Sequence, residues 1–446
     1  MNPFARIKQY ILFFGDIIIL YAALAITLWF RYGDLAYNQF FGYHLQPFTF
    51  IFIIWVIIFY IAGLYDLKSL KNDLEFQKSF WYSMGFNIVL AALFFYLIPY
   101  FSITPKTNLI LLFIVFVIVS YIWRRIFNLF AGETSASTKI LMVGSNQTVE
   151  EIIKHLEKNP QLGYQIKFWM KEGLKDHEFE HLSQIVVANE INTIVVPAHL
   201  KKDNQSAKLI YQTLVLGVEV IDLATLYELI YKKVPLAELE EVWFLENLVK
   251  KHKIYGAIKE PVERMLFLIL SIALLPLFIF IGILVKLTSK GPAIFKQKRV
   301  GKSEEEFTIY KFRTMRQDAE KNGPQWANYF NDERATPIGK ILRRTHLDEL
   351  PQLFNIVKGD LSFIGPRPER PEFVNELKNK VPYYELRLLN KPGITGWAQI
   401  NFRYGASVEE TYEKLQYDIY YIKNNSPFLD AQIILKTLKF LITNNS

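Results

Sequence analysis

The stretch Arg343-Arg344-Thr345-His346-Leu347-Asp348-Glu349-Leu350-Pro351, followed by Gly359-Asp360 and by Gly365-Pro366-Arg367-Pro368, sets two adjacent carboxylates among fixed cations. Asp348 and Glu349 repel each other unless a cation lies close by. Arg343 and Arg367 offer planar donor forks that match phosphate oxygens two at a time. The chemistry this combination suits is the handling of phosphate. Mg²⁺ suits it as well, because that ion prefers oxygen ligands and binds through one or two carboxylates, completed here by the phosphates of a nucleoside diphosphate.

These residues need elements that aim them. Thr336-Pro337 is a capping residue followed by a first-turn proline, and Ile338, Ile341, Leu342 and Thr345 continue at helical spacing, which predicts a helix over 337–344. Pro351 is tolerated only near a helix start, so the next helix, carrying Leu350, Leu353, Phe354 and Val357, is expected to begin close to Leu347 or Asp348. Asp348 would then lie at a helix N-terminus, where free N–H groups favour an anion, either the aspartate itself or a phosphate.

Five blocks occur in order across 260–446: Lys311-Phe312-Arg313-Thr314-Met315, the block from Leu347 to Leu353, Gly359-Asp360-Leu361-Ser362, Gly365-Pro366-Arg367-Pro368, and the block from Lys391 to Gln399. Together they resemble the bacterial sugar transferases, the monotopic phosphoglycosyl transferases. The resemblance implies transfer of hexose-1-phosphate from a UDP-hexose to undecaprenyl phosphate with release of UMP. It also implies that Asp348 and Glu349 form the catalytic dyad, with Asp348 as nucleophile through an acyl-phosphate intermediate. Glu349 and Asp360 are then expected to hold or orient Mg²⁺, and Lys311, Arg313, Arg343, Arg367 and Gln399 to bind substrate. Trp397 is open between shaping a nucleotide pocket and a purely structural turn. Glu369-Arg370-Pro371-Glu372-Phe373 and Tyr404-Gly405-Ala406-Ser407 look most like exopolysaccharide-initiating members, for which UDP-glucose or UDP-galactose is the expected donor, with N-acetylated and bacillosamine-type sugars left open.

The chain is 51% hydrophobic and 15% aromatic, above an ordinary soluble protein, and the excess is gathered into segments. Ile11–Phe30, Phe48–Tyr65, Phe80–Phe101 and Asn108–Trp123 are nearly uncharged and about long enough to cross a bilayer, the fourth being the shortest. Arg6 and Lys8 before the first, Lys68, Lys71 and Lys78 between the second and third, and Arg124-Arg125 after the fourth place both ends in the cytoplasm. Asp16, inside the first segment, reads either as a functional proton or lipid group or as a helix-packing residue. The net charge of +8 gathers beside apolar segments, which favours an anionic membrane face over nucleic acid. The absence of cysteine excludes disulfides, thiol nucleophiles and thiolate metal sites.

After a polar linker, Lys139-Ile140-Leu141-Met142-Val143-Gly144-Ser145-Asn146 reads as a strand, a turn and a helix from about Val149, with further buried strands at Thr193–Pro197 and Val218–Ile221. This predicts a Rossmann-like α/β domain. Its turn lacks the glycine spacing of a dinucleotide site, so a regulatory or dimerising module is the favoured role, with a homodimer expected. Met265–Val285 is long enough to span, yet both flanks are basic and Pro276 interrupts its middle. A broken helix that enters and leaves the cytoplasmic leaflet satisfies both features, with Pro276 at the kink, as the resemblance also implies. The family often has Ser and Asp where this chain has Leu275 and Phe267.

The expected fold is membrane α plus α/β: a four-helix transmembrane bundle over 1–131, a Rossmann-like α/β domain over 138–250, a re-entrant membrane helix over 260–287 and a mainly α catalytic domain over 288–446. The setting is the bacterial inner membrane, with the catalytic domain facing the cytoplasm. Two competing classes are a membrane-anchored nucleotide-sugar epimerase or dehydratase and a non-catalytic assembly scaffold. The first needs a glycine fingerprint, which Gly144-Ser145-Asn146 fails, and a Tyr-x-x-x-Lys pair, a spacing that Tyr417 to Lys423 misses. The second has no use for Asp348, Glu349 and Arg367 together.

Overall fold

The computed structural model describes residues 3–66, 72, 74–97, 106–133, 138–171, 179–248, 253–289, 291–316, 319, 334–402 and 407–443. The expectations placed on Lys68, Lys71 and Tyr404-Gly405-Ala406 lie outside the described residues. The chain divides into two compact units, Met1–Tyr231 and Lys232–Ser446.

The first unit opens with helices α1 (Pro3–Tyr32), α2 (Ala36–Gln39), α3 (Leu45–Ile61), α4 (Leu74–Leu97) and α5 (Lys106–Glu133). Among the described residues three helical runs are long and apolar enough to cross a membrane, and the first runs over 55 residues from Ile7 to Ile61. That run folds back on itself. Gln9 donates to the Tyr65 carbonyl at 2.9 Å, Tyr21 meets Thr49 at 3.0 Å, and the Tyr32 ring lies 6.2 Å from His44, so α1 and α3 run antiparallel. Leu20, Trp55, Phe80 and Phe116 share one core drawn from α1, α3, α4 and α5. The fourth apolar segment is longer than its sequence suggested, extending from Asn108 to Phe130. It does so because Arg124 does not end it: the side chain is 1% exposed and ion-paired with Asp16, which also accepts from the Tyr65 hydroxyl at 2.8 Å. Arg124 is thus a packing residue and not a free flanking charge, and Asp16 is its partner in a helix-packing role.

The α/β part follows as β1 (Thr138–Val143), α6 (Gln147–Lys158), β2 (Tyr164–Met170), α7 (Phe179–Ala188), β3 (Thr193–Val196), α8 (Ala198–Lys202), α9 (Asn204–Thr213), β4 (Glu219–Asp222) and α10 (Leu223–Tyr231). The four strands form one parallel sheet in the order β2-β1-β3-β4. Side chains alternate across a strand, so Leu141 and Val143 enter a core with α7 and α9, while Ile140 and Met142 enter another with α6 and α10. Strand β2 escaped the sequence reading because its face is half exposed and carries Gln165 and Lys167.

The second unit starts with α11 (Glu241–Leu248) and the broken pair α12 (Lys253–Ala273) and α13 (Leu275–Thr288). It continues with β5 (Ile294–Val300), β6 (Glu306–Phe312), α14 (Pro337–Arg344), a 3₁₀ turn over Leu347–Gln352, α15 (Leu353–Lys358) and β7 (Ser362–Ile364). Helix α16 (Pro371–Lys380), β8 (Gly393–Thr395), α17 (Trp397–Asn401), α18 (Val408–Asn424) and α19 (Pro427–Thr443) complete it. Residues 232–248, expected in the α/β domain, pack within this unit instead: Lys233 pairs with Glu413 at 2.6 Å and Tyr383 donates to Glu241 at 3.3 Å.

Helices α12 and α13 meet at a 62° bend with Pro276 in the first turn of α13, where the missing N–H costs nothing. On α13, Phe278, Ile281 and Val285 recur at helical spacing and enter the core with Phe312, Leu342, Leu353 and Ile356. Leu275, Ile279, Phe280 and Ile283 remain exposed beside Met265, Leu266 and Ile269 of α12, which gives the bent pair an apolar outer band. Tyr421, 2% exposed, and Trp397, stacked on Tyr420 at 5.8 Å, are core residues.

Candidate active site

Helix α14 starts as its sequence dictates. The Thr336 hydroxyl accepts the Gly339 N–H at 3.0 Å, and Pro337 takes the first position. It ends at Thr345, after which His346 turns the chain with φ +54°. Leu347–Gln352 then winds as a 3₁₀ turn before the short α15. The expected helix start at Asp348 is therefore a tighter turn, because in a wider helix the Pro351 ring would clash with the Leu347 carbonyl four residues earlier. This turn buries Asp348 and Glu349 side by side, 5% and 8% exposed.

Two cations converge on Glu349. Lys311, near the end of β6, reaches Oε1 at 2.8 Å, and Arg367 reaches the same oxygen at 2.6 Å. Antiparallel pairing of β5 with β6 sets Lys311 opposite Phe295. Asn355, fully buried on α15, ties β6 to the carboxylate turn by donating to the Thr308 carbonyl at 2.7 Å and accepting the Tyr310 N–H at 3.2 Å. Arg367 is aimed by the parallel pair β7–β8. Gly365 donates to Thr395 O and Gly393 to Pro366 O, both at 2.9 Å, and a Cβ on Gly365 or Gly393 would strike the opposite backbone.

The two carboxylates are electrostatically unlike. Burial pushes the Glu349 carboxyl up, but Arg367 and Lys311 outweigh it and hold the group ionised, well below the usual carboxylate range. Burial and then the Glu349 charge push Asp348 up to about 6, against the opposing pull of Lys311, Arg367 and Arg343. Its Oδ1 is buried and accepts no hydrogen bond from any of the described residues. Burial lowers His346, which is thereby kept neutral at pH 7. The result is a basic, under-solvated aspartate beside a fixed anion whose charge is already neutralised, an arrangement suited to nucleophilic attack near neutral pH.

The remaining expected residues divide. Arg343 is buried on α14 and acts electrostatically on Asp348. Arg313 points elsewhere: its guanidinium donates to the Ser289 carbonyl and hydroxyl at 2.8 and 2.7 Å, closing the end of α13. Strand β6 stops at Phe312, so alternation does not carry Arg313 to the face of Lys311. Gln399 donates to Ile394 O at 3.0 Å within the Gly393–Gly396 turn, and Trp397 donates to Lys232 O at 2.8 Å; both brace that turn. Asp360 pairs with Lys358 at 3.2 Å and accepts from Asn355 at 3.4 Å, with no bond to Glu349.

Among the described residues no three acidic or histidine side chains converge as a metal cage. The donor set nonetheless fits a hard cation completed by substrate phosphates, because Lys311 and Arg367 both take Oε1 of Glu349 and, among the described residues, no bond occupies its Oε2.

A model of the bacterial sugar transferases matches residues 254–444, which spans this whole constellation. An uncharacterized sugar transferase of Bacillus subtilis is 39% identical over 173 residues, 38% of this chain and 79% of that protein. The chain belongs to the bacterial sugar transferase family. A UDP-N-acetylgalactosamine-undecaprenyl-phosphate N-acetylgalactosaminephosphotransferase of Aeromonas hydrophila is 44% identical over 190 residues, 43% of this chain and 45% of that protein. A UDP-glucose:undecaprenyl-phosphate glucose-1-phosphate transferase of Klebsiella pneumoniae is 26% identical over 461 residues, covering 98% of this chain and 96% of its own length. Within this family member, the dyad turn and the Arg367 loop were legible as motifs. Asn355 and Arg387 were not singled out, since a buried asparagine or arginine looks like any surface one until its carbonyl partners are known.

Proposed function

We propose that this protein transfers hexose-1-phosphate from a UDP-hexose to undecaprenyl phosphate, releasing UMP, as the first step of an exopolysaccharide, capsule or O-antigen. The observation that carries the reading is the unequal carboxylate pair: Asp348 raised to about 6 with a bare oxygen, and Glu349 clamped between Lys311 and Arg367. The named relatives act on UDP-glucose and UDP-N-acetylgalactosamine with undecaprenyl phosphate, which supports the donor and acceptor classes. Glucose or galactose is our expected sugar.

In the proposed mechanism the Asp348 carboxylate attacks the β-phosphorus of the donor. A bond forms from its oxygen to that phosphorus, the bridging P–O bond breaks, and UMP leaves with the electron pair. The phosphate of undecaprenyl phosphate then attacks the acyl phosphate, regenerating the carboxylate and giving polyprenyl-diphospho-hexose. Arg367 and Lys311 keep Glu349 ionised and in place, and Arg343 adds positive potential where phosphate charge collects. Glu349, with donor phosphates, would hold Mg²⁺, which would supply charge neutralisation for the diphosphate; Asp360 could join it only by moving off Lys358.

The same reading takes α1, α3, α4 and α5 as four spans, the parallel sheet as a Rossmann-like module that dimerises or regulates, and the bent α12–α13 pair as a re-entrant helix in the cytoplasmic leaflet. That places the site on the side where nucleotide sugars are made. The test is UMP release by the solubilised protein supplied with Mg²⁺, undecaprenyl phosphate and single UDP-hexoses. Release with glucose or galactose donors, and its loss in Asp348→Asn, is expected. Absence of UMP with every donor would refute the transferase reading.

A further inference from the structure

Two guanidinium groups, the buried Arg387 and the half-buried Arg299, grip the main chain of the Arg367 loop. Arg387 donates to the carbonyl of Arg367 itself at 3.0 Å, and Arg299 donates to the next carbonyl, Pro368, also at 3.0 Å. Each has its own carboxylate: Asp418 of α18 lies 3.0 Å from Arg387, and Glu369 lies 3.7 Å from Arg299. Arg387 also donates to the buried Tyr384 hydroxyl at 2.8 Å. Arg387 and Asp418 are 8% and 3% exposed.

Burying the Arg387–Asp418 pair under a loop contributes little to stability by itself, since the desolvation penalty rivals the attraction and apolar residues would pack as well. A guanidinium has a geometric use here, because Nη2 of Arg387 serves the Asp418 carboxylate and the Arg367 carbonyl together while Nη1, rigidly coplanar with it, holds the Tyr384 hydroxyl. Flanking prolines already stiffen Arg367, and fixing its own carbonyl removes the remaining freedom of the peptide. From this geometry we infer that Arg387, set by Asp418, is a positioning residue: it fixes the backbone of Arg367 so that the Arg367 side chain meets Glu349. Arg299 performs the same service one residue later. The inference rests on the site reading above, and the experiment separates the two.

Turnover and the KM for UDP-glucose are measured for full-length Arg387→Lys, Arg367→Lys and the double variant, with thermal unfolding recorded alongside. Lysine keeps the charge for Asp418 but loses the fork, so Arg387→Lys is expected to unfold near the parent temperature. Its kcat should fall about tenfold to a hundredfold, the scale of an ångström of misplacement, with a much smaller change in KM. In the Arg367→Lys background the same change should cost less than about twofold, because the group it positions has gone. Losses that multiply while Arg367→Lys alone is impaired would overturn the inference and leave the site reading standing. An Arg367→Lys variant with parental turnover would overturn both. Should Arg387→Lys not fold, Arg299→Lys is put through the same cycle against the Pro368 carbonyl with the same two expected results, and multiplicative losses there likewise reject the mechanism.

Discussion

Replacing Asp348 by asparagine should make the protein more stable while abolishing turnover. The carboxyl is raised from its ordinary 3.8 to about 6, chiefly by burial and then by Glu349. Each unit of such a shift is about 1.4 kcal/mol, so above pH 6 the ionised Asp348 costs the fold about 3 kcal/mol. The sign follows from proton binding. Between about 4 and 6 the folded state holds a proton that the unfolded state has lost, so the parent loses stability as pH rises through that window. An asparagine pays nothing at any pH. The gain from Asp348→Asn should therefore be near zero below pH 4 and reach about 3 kcal/mol above pH 6. For the C-terminal unit that corresponds to a rise of roughly 6–12 °C in its unfolding temperature. The assay is thermal unfolding of detergent-solubilised protein at pH 4, 5, 6 and 7, paired with UMP release. A variant equally or less stable at pH 7 would show that Asp348 is held by favourable contacts and is not a destabilised nucleophile.

Three further outcomes follow from named contacts. Turnover should fall on acidification with a midpoint near pH 6, because the nucleophile proposed, Asp348, would attack only when ionised; a pH–rate profile flat between 5 and 8 would contradict the value argued for this group. Asn355→Ala should destabilise the second unit by about 2–3 kcal/mol, since it strands the Thr308 carbonyl and the Tyr310 N–H; denaturant unfolding reads it, and a neutral result would show that water replaces the amide. The chain has no native cysteine, so single thiols report topology cleanly: Gly256→Cys, where a Cβ meets open space, and Lys302→Cys should both react only from the cytoplasmic side, whereas a spanning helix would expose one to the other side.

The sequence carried the elements whose periodicity is one-sided and whose punctuation is strong. Helix α14 was readable from Thr336-Pro337, β1 from its unbroken apolar run, and the bend from Pro276 amid basic flanks. It misled where a charge was assumed to face water. Arg124 looked like the end of a membrane segment and is instead a buried partner of Asp16, because long-range pairing overrides local charge patterning. Arg313 was expected to bind substrate as part of the block from Lys311 to Met315, yet strand β6 ends at Phe312 and its guanidinium closes α13. Asp348, Glu349 and Arg367 stood out because adjacent carboxylates among fixed cations are conspicuous in the sequence, and the structure brings Arg367 onto Glu349. Arg387 and Asn355 did not stand out, because their partners are main-chain carbonyls far along the chain.

The most direct test of the account is the mass of the peptide containing Asp348 after the protein meets Mg²⁺ and UDP-hexoses in the absence of lipid. The account predicts an added hexose-phosphate on that peptide, absent in Asp348→Asn, whose mass narrows the sugar. UMP released only when undecaprenyl phosphate is present, with no adduct at any time, would contradict it and make Asp348 a ligand in a direct transfer.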